Sequence, residues 1–208
     1  MDKNHWDERY RSGGYTPREY PSDLLSENVD WFPDGRALDL ATGTGRNALF
    51  LAEQGYTVDA VDISEEALAT ARENADKRDV DVTWVQADLS EYDVPAETYD
   101  IVNVSFYYDL NLLAELKEAL TPGGVLVYEH HLRPASLPDR GPSSDQYRFR
   151  SNDLLQACLD LTVLDYRERM RVFERGERAG QTAAIASIIA RKPLDDCDTY
   201  PPESDPET

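Results

Sequence analysis

Residues 36–55 read RALDLATGTGRNALFLAEQG. Ala37 to Ala41 is a short apolar run that ends in glycines, and Asn47 to Glu53 carries helical spacing closed by Gly55. A glycine just past the last periodic residue is a helix stop signal, so the stretch predicts strand, tight turn and helix. Gly43, Gly45 and Ala48 fill the glycine-rich pattern that lets a backbone approach a nucleoside at a helix N-terminus. Asp39 stands four residues ahead of Gly43, where an anionic pyrophosphate would least want it.

Outward from this turn the same rhythm continues. Thr57 to Ile63 is β-branched and apolar, and Ser64 is placed to cap the helix SEEALATARENADKR. VDVTWVQAD ends a third strand at Asp88, and YDIVNVSF runs apolar from Tyr99 to Phe106 as a fourth. A helix is expected over about 110–120, after which the turn TPGG at 121–124 feeds a fifth strand, VLVYEHH. Apolar runs separated by helices of this length indicate parallel strands covered on both faces. Near the end TVLDYRERMRVF and QTAAIASIIARK are joined by ERGERAG, too short for a helix, so these two strands pair antiparallel. The expected fold is a doubly wound α/β, Rossmann-like sheet of seven strands, order 3-2-1-4-5-7-6, with the last strand antiparallel.

That domain is expected over residues 35–192. Before it, residues 1–34 form an arm, irregular through Tyr20 and then a short helix (Leu24, Leu25, Val29, Trp31, Phe32) ending before Pro33. After it, residues 193–208 are an acidic, proline-rich tail expected to be disordered. The segment LRPASLPDRGPSSDQYRFR after His131 is long enough to suggest a lid.

Of 208 residues, 41 are acidic and 21 basic, a formal charge of −20, which disfavours a polyphosphate-binding face and with it a nucleic-acid partner. An acidic excess spread through nearly every segment, with arginine preferred over lysine, resembles the composition of halophilic proteins. Stability is therefore expected to improve as KCl rises. No apolar run approaches the roughly 18 residues of a membrane span, and the polar N-terminus lacks a secretory pattern, so a cytoplasmic protein is expected. Cys158 and Cys197 have no metal-ligand spacing and read as reduced thiols. No metal is expected.

A carboxylate beside the glycine turn repels phosphates but attracts an ammonium and a sulfonium, and S-adenosylmethionine carries both. DLATGTGRN, with Asp62 ending the second strand, QADL at the third, YDIVNVSF at the fourth and LTPGGVLVYE leading into the fifth, resembles the class I S-adenosylmethionine-dependent methyltransferases. The resemblance implies that Ala41 and Gly43 contact the methionine portion with Asp39 near its ammonium, and that Gly45 and Ser105 belong to the cofactor site. It also implies that Asp62 takes the ribose hydroxyls, Ile63 packs on adenine, and Asp88 with Leu89 recognises the adenine edge. HWDERYRSGG resembles the start of the tellurite-resistance and thiopurine methyltransferase groups, which implies that Trp6 and Tyr10 close over the cofactor.

Methyl transfer to a small molecule by in-line displacement follows from that resemblance, with a thiol, an oxyanion or a small acid as acceptor. Candidate acceptor-side groups are Tyr107 and Tyr108 after the fourth strand, and Glu129, His130 and His131 after the fifth. His130, His131 and Tyr108 are the candidate catalytic residues. Adjacent histidines on a strand are expected to point to opposite faces. Arg167, Arg169 and Arg171 should share one face of the sixth strand, and Arg175, Arg178 and the arginines at 133–150 are further candidates if they enter the pocket. A nucleic-acid or protein methyltransferase, an NAD-dependent reductase and a non-catalytic nucleoside-binding module remain as alternatives. The chain is expected to be a monomer or homodimer.

Overall fold

The computed structural model describes residues 3–14, 16–134, 138–174 and 179–194. The expected tail at 195–208, with Cys197, and Arg175 and Arg178 lie outside the described residues. The described chain runs α1 (Lys3–Arg11), α2 (Asp23–Ser26), a 3-10 turn (Val29–Trp31), β1 (Arg36–Leu40), α3 (Arg46–Glu53), β2 (Thr57–Asp62), α4 (Glu65–Arg78), β3 (Thr83–Gln86) and β4 (Tyr99–Ser105). It continues through α5 (Leu112–Ala119), β5 (Leu120–His131), a second 3-10 turn (Asp145–Tyr147), α6 (Asp153–Ala157), β6 (Thr162–Val172) and β7 (Thr182–Arg191). The seven strands form one sheet in the order β3-β2-β1-β4-β5-β7-β6. The first five are parallel, and β7 runs antiparallel to both β5 and β6.

The strands are apolar on both sides because both sides are covered. Leu38, Leu40, Val102, Val104, Leu126 and Tyr128 pack with Leu112, Leu113 and Leu116 of α5. On the other face Ala37, Ile101, Val125 and Val127 pack with Leu24 and Leu25 of α2 and Ala48 and Leu51 of α3. Each large side chain buried in this way contributes about 1.5–3 kcal/mol, which is what holds the carboxyl ends of β1, β2, β4 and β5 in fixed register. Asp39 and Asn103 are direct partners across the β1–β4 ladder and therefore share the α3 face. Glu129 pairs with Ser187, which in turn pairs with Arg167, so the arginine stripe of β6 also lies on that face.

Ser64 caps α4 as expected, its Oγ accepting the Ala67 N–H at 3.2 Å. Three expectations change. Residues 3–11 form a helix rather than an irregular arm; none of its side chains is fully buried, so it lacks the apolar stripe by which a helix is read from sequence. The helix expected over 21–32 is broken into α2 and a 3-10 turn. TPGG does not separate α5 from β5 but lies within β5, where a register shift against β4 between Tyr99 and Ile101 absorbs it. Among the described residues no helix is long and apolar enough to cross a membrane.

Candidate functional site

The glycine turn after β1 is held from below and beside. Gly43 has φ +59° and Gly45 has φ +83°, both left-handed. A Cβ on Gly43 would stand 2.8 Å from Tyr10 Oη, and one on Gly45 would stand 2.7 Å from the Trp84 ring. The glycines therefore supply both the turn and the space for close approach. Ala41 (φ 52°) and Phe106 (φ 64°) are left-handed without being glycine. Such strain costs on the order of 1–3 kcal/mol per residue and collects at functional sites. Both residues sit at carboxyl ends of strands, beside the turn.

Asp62 ends β2, and its two oxygens face the turn and the helix. Oδ2 accepts the Gly43 N–H at 2.8 Å and Oδ1 accepts the Ser64 N–H at 2.9 Å. Burial raises its pKa, against the opposing pull of those bonds. Each carboxylate oxygen keeps a second lone pair, so a diol could still be accepted. Ile63 is half-buried next to it, and Leu89 is buried. Ser105 Oγ accepts from Asn47 Nδ2 at 3.1 Å, and Asn47 Oδ1 accepts the Ser22 N–H at 2.9 Å, so the arm is tied to the end of β4 through α3.

Asp39 is placed differently from an open ligand carboxylate. It is buried, with Oδ2 accepting from Thr42 Oγ1 at 2.5 Å and Oδ1 from Asn103 Nδ2 at 2.6 Å. Burial pushes its pKa up to about 6 while those bonds pull it down. Its visible work is to brace the turn from beneath. Asp88 is exposed, and its Oδ1 closes a local turn by accepting the Ser90 N–H at 3.0 Å and Oγ at 2.8 Å. Those bonds, the backbone one first, hold its pKa low.

A second group of residues gathers at the ends of β4 and β5 under the arm. A cavity of about 80 Å³ is walled by Thr16–Asp23 of the arm, Arg46, Glu129, Arg171, Phe173 and Glu174. Glu129 is buried between Arg46 Nη2 at 3.7 Å and Arg171 Nη1 at 3.2 Å, and Arg171 also pairs with Asp23. Arg18 Cζ lies over the Phe106 ring, 3.3 Å from its centroid. Of the candidate arginines Arg171 reaches this cavity; Arg167 and Arg169 line a smaller groove with it, and Arg148 is buried within its own segment on the Leu132 and Pro142 carbonyls. Sequence reasoning missed Arg18, Asn47 and Asn103. The last had a signal, a lone amide inside the apolar run YDIVNVS.

His130 and His131 do not diverge as strand alternation predicts: their rings stand 5.5 Å apart, edge to face. His130 packs on Tyr108 and Phe149 while His131 packs on Phe106. His130 Nε2 lies 2.9 Å from the Tyr147 carbonyl, which makes it the protonated nitrogen. Burial lowers the two pKa values to about 4 and about 2, so both rings are neutral near pH 7 and weakly basic. Tyr107 is half-buried, and burial raises its pKa.

The residues fit S-adenosylmethionine on these observations. The turn leaves no room for a Cβ, and a nearly buried carboxylate faces it. Residues 37–124 match the family model described as a methyltransferase domain. The chain is 27% identical over 166 residues to the probable S-adenosyl-L-methionine-dependent methyltransferase TehB of Haemophilus influenzae, covering 76% of this chain and 57% of that one. It is 32% identical over 158 residues to a glycine/sarcosine N-methyltransferase of Halorhodospira halochloris, covering 69% and 54%. It thus spans a little over half the length of these curated relatives. The crystal structure of TehB from Haemophilus influenzae superposes with a TM-score of 0.71 at 24% identity, over 89% of this chain and 67% of that one. Residues 37–124 of the chain therefore match a methyltransferase domain, set in a sheet that superposes on that of TehB.

Proposed function

We propose that the chain transfers a methyl group from S-adenosylmethionine to a small acceptor in the cytoplasm, and that the acceptor is an oxyanion or small acid rather than a neutral thiol. The observation that carries the first half is the Asp62 carboxylate, nearly buried and bonded to Gly43 of the turn. In this reading Gly43 and Gly45 admit the cofactor, Asp62 holds its ribose, Ile63 and Leu89 flank its base, and Tyr10 covers it. The cofactor supplies an electrophilic methyl group.

The chain's own part is alignment and exclusion of water, which are sufficient when the acceptor arrives ionised. Arg18 at the cavity wall suits an anionic group, while Arg171 there is held by Glu129 and Asp23. An ionised acceptor needs no strong base, consistent with the weakly basic state of His130 and His131. Free, buried Cys158 suits a reducing compartment.

Titration in molar KCl with S-adenosylmethionine, S-adenosylhomocysteine and NAD tests the cofactor. Binding of NAD with indifference to both sulfur nucleosides refutes the reading. Transfer of labelled methyl to selenite, tellurite and small carboxylic acids, set against a panel of thiols, tests the acceptor. Labelling of thiols alone overturns the anionic assignment.

A further inference from the structure

The arm touches both halves of the site through adjoining segments. Helix α1 sits at the N-terminus of α4, where Ser64 Oγ donates to Asp7 Oδ1 at 2.7 Å and the Glu66 N–H approaches the same oxygen at 3.4 Å. Arg11 reinforces the seat on Glu66 at 2.6 Å. One turn along α1, Tyr10 Oη lies over Gly43. Ser12-Gly13-Gly14 follows, with Gly13 at φ +70°, and then Thr16–Asp23 become a wall of the acceptor cavity.

Asp7 is an acid set among acids. Glu65 and Glu66 occupy the first turn of α4, Asp62 precedes it, and the charge of Asp7 adds a minor upward push to the Asp62 pKa beyond that of burial. A chain with a formal charge of −20 gains nothing from another carboxylate there as charge. Its place is explained by the two donors it receives from the helix end. Through Ser64 it is also one step from Asp62, since the Ser64 N–H is bound by Asp62 Oδ1, and Asp62 in turn holds Gly43. No side chain of α1 is fully buried, so the seat leans on these surface contacts rather than on the apolar core. An element held in this way opens locally at low cost.

We propose that Asp7 is a positioning residue for methyl transfer. It seats α1 on the cofactor side of the site and so fixes the Thr16–Asp23 wall of the acceptor cavity, which couples occupancy of one to the shape of the other. The proposal rests on the cofactor reading above. By linkage, a nucleoside that closes α1 must improve acceptor binding by the factor by which acceptor improves nucleoside binding.

Hydrogen exchange of the full chain, with and without S-adenosylhomocysteine, tests it in wild type, Asp7→Ala and Asp7→Asn. In wild type the nucleoside should slow exchange both in residues 3–11 and in Arg18–Asp23. Asp7→Ala should bind S-adenosylhomocysteine about tenfold more weakly, the scale of a lost charge-assisted hydrogen bond. At saturating nucleoside it should lose the slowing in Arg18–Asp23. Asp7→Asn keeps an oxygen for Ser64 and should restore most of it. Melting temperatures should agree among the three, since α1 buries no core residue. Equal slowing of Arg18–Asp23 in wild type and Asp7→Ala overturns the proposal, as does wild type that binds the nucleoside with no change in that segment. Wild type that binds no sulfur nucleoside overturns the cofactor reading and the coupling with it.

Discussion

Gly43→Ala separates the two demands made on the turn. At φ +59° an L side chain costs about 1–2 kcal/mol, offset by about 0.4–1 kcal/mol from the lower entropy of the unfolded chain. The net loss of folding stability should be near 1 kcal/mol, a melting shift of about 2–4 °C for a domain of this size. The new methyl would also stand 2.8 Å from Tyr10 Oη but 3.9 Å from Cζ, so the collision is with the hydroxyl alone. Relief requires α1 to lift from the turn. Binding of S-adenosylhomocysteine should therefore weaken beyond what the stability loss explains, and Tyr10→Phe, which deletes the colliding atom, should recover that part. Calorimetric titration of the four proteins in the double-mutant cycle should give a coupling of roughly 1 kcal/mol, about fivefold in affinity. Stability losses should be the same with either residue at position 10. A binding penalty that is unchanged by Tyr10→Phe refutes the contact between arm and turn, and a Gly43→Ala protein as stable as wild type refutes the strained backbone.

Asp62→Ala should lose nucleoside affinity and also leave the buried Gly43 and Ser64 N–H groups without their acceptor, lowering stability in urea by about 1–3 kcal/mol. Acid should destabilise the fold through the histidines: His130 is held near 4 and His131 near 2, so the unfolded chain takes up their protons first as pH falls below about 6.5. For His130 this is worth about 3 kcal/mol between pH 6.5 and 4, and His130→Gln should flatten that part of the slope. Asp39, held up near 6, works in the opposite sense, taking up its proton in the folded state and offsetting part of the loss between about 6 and 3.8. With 41 acidic against 21 basic residues, the melting temperature should rise from low to molar KCl; a flat or falling curve counts against the halophilic reading.

The features legible in the amino-acid sequence are local or periodic. The strand-turn-helix of residues 36–55, the Ser64 cap and the final antiparallel pair each depend on signals a few residues apart, and each stands where those signals put it. Helix α1 escaped because it presents no apolar stripe, and the break between α2 and the 3-10 turn escaped because both halves bury the same kind of residue. Asp39 read as a charge beside the turn and near a ligand's ammonium, but its partner Asn103 lies 64 residues away, and only the β1–β4 register turns the pair toward each other.

By itself the sequence determined the alternation of strands and helices and the place of the glycine turn, since hydrophobic period and glycine spacing are carried by neighbours along the chain. Only the tertiary structure decided which carboxylates border the glycine turn and which brace the protein from beneath. Asp39, Asp62 and Asp88 all follow or flank strand ends, yet one is buried on Asn103 and Thr42, one is bound to Gly43 and Ser64, and one closes an exposed turn. The same holds for Asp23, Glu129 and Arg171, which meet because an arm, a central strand and an edge strand converge at one end of the sheet. Long-range convergence of this kind leaves no period in the sequence, because the groups that meet are set by packing and register rather than by spacing along the chain.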